Sequence, residues 1–349
     1  MKIVYFVDLL PYKTNPLLDP IVKTLGSSYK FKYINNTSMI SIRYLTFILI
    51  RLKIFFSLMM IKNSTIHSFE IETTFLALIL NRFRKNKIIF SYLEIWSDTL
   101  PDSSVRLKIM ASYYRKIEKY TLMNSNIVIF PTQLRKEYIK NKYVSMAESK
   151  LHVIENMSVY GKDVFKNKEI LASLKHKHIV YMGTFNESRR LDLLMSISEE
   201  LRNNGIRIYL FGDQNDSLKN LLNFKNVYYL GKVEHDEMID MLKKCHIGIA
   251  IYGDHNANNY LCAPIKIFDY INAEIPFVAV NFPYINEIKN RVNVEILKTF
   301  ELNKKDLLSA ILELDRDYDR YKSNIENIDK SPYRFESQKS KIINIYTKA

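Results

Sequence analysis

The sequence predicts an α/β protein of two domains, each a doubly wound parallel sheet, facing a cleft. Three observations predict it. Short β-type runs alternate with helical patterns of roughly 10–20 residues from one end to the other, the pattern of a parallel sheet covered by helices on both faces. The chain has 349 residues, more than the roughly 100–200 of one domain. Between about Asn156 and Lys177 the sequence is charged and poorly periodic, as an inter-domain linker is. The expected division is 1–160, 161–331, and a closing helical segment, 332–349, that returns to the first domain.

Each element follows from local pattern. Lys2–Val7 is a β-type run, followed by a polar stretch with Pro11 and Pro16 and a helix to about Leu25. Lys30–Ile34 alternates as a strand. Ile40–Ile61 is apolar but interrupted by Arg43, Arg51 and Lys53, so its uninterrupted runs are too short to span a bilayer. It reads as a helix with a basic stripe and a Phe- and Leu-rich face, suited either to a membrane interface or to packing on a sheet. Thr65–Phe69, Lys87–Tyr92, Ile127–Phe130 and Leu151–Ile154 read as strands. Glu72–Phe83, Val105–Met123 and Leu134–Lys140 read as helices between them. In the second half His178–Met182, Arg207–Phe211, Val227–Leu230, Ile247–Ile251 and Pro276–Val280 are strands. Leu191–Asn203, His235–Lys244, Ile265–Ala273, Lys304–Leu314 and Pro332–Tyr346 are helices.

Composition excludes several classes. Apolar residues make up 47% of the chain, enough for two cores. Cys245 and Cys262 are the only cysteines, which excludes a disulfide framework and points to a reducing compartment. Neither cysteine nor any histidine shows metal-ligand spacing. The net charge is +14 and lies on one side: residues 1–160 hold 23 Lys and Arg against 11 Asp and Glu, a net of +12, and the remainder a net of +2. A one-sided basic field attracts nucleic acid, anionic lipid or a phosphorylated substrate. No helix-turn-helix, zinc-finger or aromatic RNA-binding motif accompanies the charge, so nucleic acid is not the expected partner. The first residues do not read as a secretory signal.

Four ordered pieces of the second half carry a resemblance. They are Ile179–Phe185 followed by Arg189–Leu194, then Ile208–Asp213, Val227–Val233 with Met238–Ile249 behind it, and Ala263–Val280. In order and spacing they resemble the nucleotide-sugar-binding domain of GT-B glycosyltransferases, which have two Rossmann-like domains, and glycosyltransferase family 4 in particular. The resemblance implies a retaining transfer of a sugar from a nucleoside-diphosphate sugar to a hydroxyl acceptor. Joined to the basic, aromatic first half, it suggests a lipid-linked or glycan acceptor in surface polysaccharide assembly. The expected location is then cytoplasmic, peripheral on the inner face of the cell membrane, against an anionic surface. No cofactor or metal is expected, since the resemblance is to the metal-independent GT-B class.

The residue chemistry fits this reading. Gly183 permits a sharp turn after a strand, and a helix N-terminus with a nearby cation stabilises a diphosphate. Arg189 matches the family's phosphate-binding cation, which favours the departing diphosphate in the transition state. Thr184 stands where many relatives place an arginine, so Arg190 or Lys266 is the substitute. Lys266 is three residues before Asp269 on one helix face, placed either for a local ion pair or near the phosphates. In the family an acid at the place of Asp269, in the helix opened by Pro264 and Ile265, accepts from the ribose hydroxyls. The family's preceding acid is Leu261 here, which leaves the transferred sugar to Asn258, Asn259 or Tyr260. The base is expected between the Gly212-Asp213 turn and the turn from Gly231 to Val233.

In the first half Glu94 and Asp98 follow a strand end, where either can orient or deprotonate an acceptor hydroxyl. Asp98 equally suits capping of a helix near Pro101. His67 ends another strand, and Trp96 suits packing or sugar stacking. Asn156 lies where the family often has an Asn after the last strand of this domain. Two other readings remain: a nucleotide-sugar epimerase, which shares the architecture and needs no acceptor, and a non-catalytic basic binding protein.

Overall fold

Most strands form where β-branched and aromatic residues run three to six long, and the central ones lie buried on both faces, as parallel strands under two helical layers must. The computed structural model describes residues 2–8, 17–34, 43–98, 105–157, 159, 164–234 and 237–348. The chain divides into two compact units, Met1–Asn156 with Phe335–Ala349, and Met157–Arg334.

The first unit runs β1 (Lys2–Val7), α1 (Leu18–Leu25), β2 (Tyr29–Ile34), α2 (Arg43–Met60), β3 (Thr65–Ser68), α3 (Ile71–Leu80), β4 (Lys87–Ser91), α4 (Val105–Asn124), β5 (Ile127–Phe130), α5 (Gln133–Lys142) and β6 (Leu151–Val153). Its six strands are parallel in the order β2-β1-β3-β4-β5-β6. The order reverses at β1 and β3, the switch point outside which ligands bind in open sheets. Right-handed crossovers put α2, α3 and α4 on one face, where they pack side by side. Ile54, Leu58 and Ile61, one face of α2 and the residue after it, pack into a core with Val7, Ile66 and Ile88.

The second unit runs α6 (Lys168–Ser173), β7 (His178–Met182), α7 (Leu191–Met195), α8 (Ser198–Asn203), β8 (Arg207–Phe211), α9 (Asp216–Leu221), β9 (Val227–Tyr229), α10 (Met238–Leu242), β10 (Ile247–Ala250), α11 (Ala257–Tyr260), α12 (Ile265–Asn272), β11 (Phe277–Val280), α13 (Pro283–Val292), β12 (Leu297–Phe300), α14 (Lys304–Arg316) and α15 (Tyr318–Asn327). Its strands are also parallel, in the order β12-β11-β10-β7-β8-β9. The switch point lies between β7 and β10. After two short 3₁₀ turns, α16 (Lys339–Lys348) belongs to the first unit. There Tyr346 bonds His67 Nδ1 at 2.5 Å, and Tyr29 donates to the Tyr346 carbonyl at 3.1 Å.

Several elements differ from expectation. Leu191–Asn203 is two helices, because Ile197 takes a non-helical ψ of 7°. The stretch read as linker contains α6, capped by the Asn167 side chain and anchored by buried Ile170 and Leu174. The strand β12 was not anticipated: Leu-Lys-Thr-Phe is short and mixed, and it is ordered by pairing with β11 at the sheet edge. His235, the proposed start of α10, and the proposed helix start near Pro101 lie outside the described residues.

Candidate active site

The second unit's site is built on three glycines, one after each of β7, β8 and β9. Gly183, Gly212 and Gly231 have φ of 138°, 159° and 92°, values that L side chains rarely adopt. The bends are stitched together: Gly183 N–H donates to Phe211 O at 3.0 Å, and Gly212 N–H to Gly231 O at 3.1 Å. The approach is close enough that a Cβ on Gly212 would stand 2.1 Å from the Gly183 carbonyl oxygen. The result is a low backbone ledge at the carboxyl edge of the sheet, exposed at Gly183 and half-buried at Gly212 and Gly231.

Across the switch point, β10 leads to buried Tyr252, and α12 starts at Pro264. Helix α12 is fixed by Tyr270, whose hydroxyl donates to Ile249 O at 3.0 Å and whose ring lies against Gly248. This anchoring turns Lys266 inward. Its ammonium lies over the faces of Tyr181 (4.1 Å to the centroid) and Tyr252 (5.1 Å), rather than against a carboxylate. It is also 3.6 Å from where a Cβ on Gly183 would be. Arg189 stacks on the same Tyr252 ring at 4.8 Å. Two cations thus share one tyrosine beside the Gly183 bend. Burial, then repulsion from Arg189, holds the Lys266 ammonium well below the usual lysine range, and Asp269 only partly opposes this. Such a pair is completed by an anion that borders both charges. The Tyr181 hydroxyl donates to Thr184 O at 2.7 Å and fixes the loop after Gly183.

The other residues singled out from sequence take varied positions. Asp269 is 3% exposed, in the middle of α12 and not on its solvent face. Pro264 is buried and Ile265 half-buried at the start of that helix. Thr184 is exposed within 3.4 Å of Arg189 Nε. Arg190 is not brought to Lys266: its backbone is left-handed (φ 45°) and its guanidinium grips Asp192 at 3.0 Å. Asp213 pairs with Lys232 at 3.0 Å, both exposed, and Val233 is half-buried just beyond. Asn256 caps α11 through the Asn259 N–H, and the Asn259 amide lies 3.1 Å from His255 Nε2. Tyr260 is exposed, edge-on to Phe282.

In the first unit, Glu94 is exposed in the turn after β4. Asp98 lies in a 3₁₀ turn and accepts from Tyr138 Oη (2.7 Å), Lys142 Nζ (2.9 Å) and Ser97 Oγ (3.2 Å). Burial pushes its carboxyl up, but these donors and the Lys142 charge outweigh it and hold it below the usual range. It borders a cavity of about 640 Å³ with Arg115, Asn141 and Lys142. His67 is fully buried between Tyr346 and Ser91 (2.8 Å), and burial pushes its pKa down to about 3, so it is a structural neutral imidazole. Trp96 stacks on Tyr114 at 5.7 Å.

Sequence reading missed three residues. Tyr252 lies under both cations and Tyr181 under Lys266, and nothing local marks an aromatic near a strand end as a cation platform. Glu70 follows β3 at the first unit's switch point, near Asp8 after β1. Burial, then Asp8, Glu94 and Glu72, raises its pKa to about 8. Its signal was available, a carboxylate just after a strand end, the same one that selected Glu94. Among the described residues no group of three His, Cys, Asp or Glu is placed to hold a metal ion.

The family model described as Glycosyl transferases group 1 matches residues 176–317. In structure the chain is similar to sucrose-phosphate synthase from Thermosynechococcus elongatus (TM-score 0.72, 10% identity, 99% of this chain and 98% of that one). It is also similar to HepE of Anabaena in complex with UDP-glucose (TM-score 0.71, 12% identity, all of both chains). A UDP-N-acetylglucosamine 2-epimerase has the same fold at a TM-score of 0.59 and 12% identity, over 98% of this chain and 95% of that one. No curated protein is similar to the chain in sequence.

Proposed function

We propose that the chain, whose residues 176–317 match the Glycosyl transferases group 1 model and whose fold is similar to that of GT-B enzymes, is a retaining glycosyltransferase. It moves a sugar from a nucleoside-diphosphate sugar to a hydroxyl on a lipid-linked acceptor, in surface polysaccharide assembly at the inner face of the cell membrane. The observation that carries the donor half is the pair Arg189 and Lys266 sharing Tyr252 beside the Gly183 bend. The diphosphate lies on the glycine ledge, where no side chain intervenes, and completes the charge of both cations. Asp269 takes the ribose hydroxyls.

In the reaction the bond between the anomeric carbon and the phosphate oxygen breaks, and the acceptor oxygen bonds that carbon. Negative charge grows on the leaving phosphate, and fixed cations favour that state over the bound donor. The acceptor hydroxyl gives up its proton to the departing phosphate oxygen as it attacks. We assign its orientation to Glu94 rather than Asp98, because the Asp98 carboxylate already accepts from Tyr138, Lys142 and Ser97. The family resemblance supports retention of configuration, and the basic first unit supports a lipid-linked acceptor.

The test is titration of UDP and GDP into the purified protein by calorimetry, then assay of UDP- and GDP-sugars for nucleoside diphosphate release with and without a polyprenyl-diphosphate-sugar acceptor. Acceptor-dependent release supports transfer. A converted sugar without acceptor gives the epimerase reading, which the epimerase of the same fold keeps open. Absence of both binding and release overturns the proposal.

A further inference from the structure

Among the described residues, the helical layer of the first unit leaves a face uncovered. Helix α2 is apolar on two opposite sides. Ile54 and Leu58 pack inward, while Leu49, Leu52, Phe56 and Met60, spaced by three and four, face solvent, Phe56 at 61% and Met60 at 83% exposure. A helix apolar all round is normally buried all round. The neighbouring α3 continues the exposed apolar surface through Ile79 and, just beyond its end, Phe83 at 88%. Beside it, α4 adds Ile109, Met110, Tyr113 and Tyr120, all exposed.

The charges on this layer have one sign. Lys108, Lys116 and Lys119 of α4, and Arg82 and Lys85 beyond α3, are exposed. The three helices contain only two carboxylates, Glu72 and Glu118, and both are engaged. Glu72 accepts from Arg51 and from Tyr114 Oη (2.9 Å), while Glu118 is fully buried and accepts from Tyr92, Ser97 N–H and Tyr143. Among the described residues no helix is long and apolar enough to cross a membrane. Large apolar side chains interleaved with lysines, without an outward carboxylate, complement an anionic bilayer surface: aromatic and aliphatic groups enter the headgroup boundary while the cations meet the phosphates.

We propose that the outer face of α2, α3 and α4 is the surface by which this protein docks on an anionic lipid bilayer. This deepens the membrane location of the preceding proposal but does not depend on sugar transfer. Each Lys or Arg brought near such a surface strengthens association about fivefold, and the strength falls as salt rises.

The test is sedimentation of the full chain with vesicles of one part phosphatidylglycerol to two parts phosphatidylcholine, and with phosphatidylcholine alone. Expected are binding to the first, little to the second, and at least a tenfold loss in Phe56→Glu/Phe83→Glu and in Lys116→Glu/Lys119→Glu. All four side chains are exposed, and unchanged melting temperatures of the variants confirm folding. Equal binding to both vesicle types, undiminished binding by the variants, or concentration-dependent self-association that the variants abolish would overturn the proposal, the last assigning this face to a second copy. UDP and GDP titrations on the same samples separate the two proposals: vesicle binding without nucleotide binding sinks the enzyme reading and leaves this one standing.

Discussion

Replacing Lys266 by Met separates function from stability at a single position. In the ligand-free protein the ammonium is buried over two tyrosine rings, with Arg189 sharing one of them. Burying an ion with imperfect compensation costs several kcal/mol. The two ring contacts return about 0.5–2 kcal/mol each, and a Met sulfur in the same place keeps about 0.3–1.5 kcal/mol per ring. Lys266→Met should therefore leave the melting temperature unchanged or raise it by about 2–4 °C per kcal/mol recovered. The lysine pKa is lowered on folding, so the unfolded chain binds the proton more readily. The cost is full below the folded pKa and vanishes as pH rises into the ordinary lysine range, so the gain in Lys266→Met should shrink with pH. Diphosphate binding should move the other way. Loss of a hydrogen bond to a charged group, about 1.5–3 kcal/mol, weakens UDP or GDP binding by roughly 10- to 150-fold. Because a bound anion raises the Lys266 pKa again, wild-type binding takes up protons and weakens with pH, by at most about tenfold per unit; the variant should lose that slope. Calorimetry in buffers of different ionisation enthalpy, with thermal melts in parallel, reads all of these. A lower melting temperature with unchanged nucleotide affinity would make Lys266 a structural residue and refute the reasoning.

Gly212→Ala places a methyl 2.1 Å from the Gly183 carbonyl oxygen. Backbone must move, so a loss of at least about 1–3 kcal/mol is expected in denaturant titration, together with weakened UDP or GDP binding. Glu70 has its pKa raised to about 8, so the folded state holds a proton that the unfolded chain releases. Its contribution makes stability fall as pH rises from the ordinary carboxylate range towards 8, by about 1.4 kcal/mol per unit at most, and Glu70→Gln should flatten that decline in melts taken across this range. Arg189→Ala and Asp269→Ala should each lower turnover at least tenfold, measured as nucleoside diphosphate release; an unchanged rate in either would misplace the donor site.

Much of this molecule was legible locally. Runs such as Ile-Val-Tyr-Met and Ile-Tyr-Leu-Phe, each closed by glycine, announced strands that end at a turn, because backbone sterics act within a few residues. Arg189, Lys266 and Asp269 were legible as candidates through the family resemblance carried by the segments around those turns. Which cation faces the ledge was not: Arg190 is as basic as Arg189 and adjacent to it, but its left-handed backbone sends it to Asp192. The break at Ile197 and the edge strand β12 were also hidden, since they depend on neighbours rather than on propensity.

By itself, then, the sequence determined the alternation of strand and helix, the glycine bends, the one-sided charge and the apolar character of α2. Tertiary structure alone decided that Tyr252 lies under both cations and that α12 turns Lys266 inward. It also decided that Ile54 and Leu58 of α2 pack on the core while Phe56 and Met60 are exposed. The physical reason is range: dihedral preference and amphipathic period are written in neighbouring residues, whereas burial, and the charge effects it creates, exist only once distant strands lie side by side.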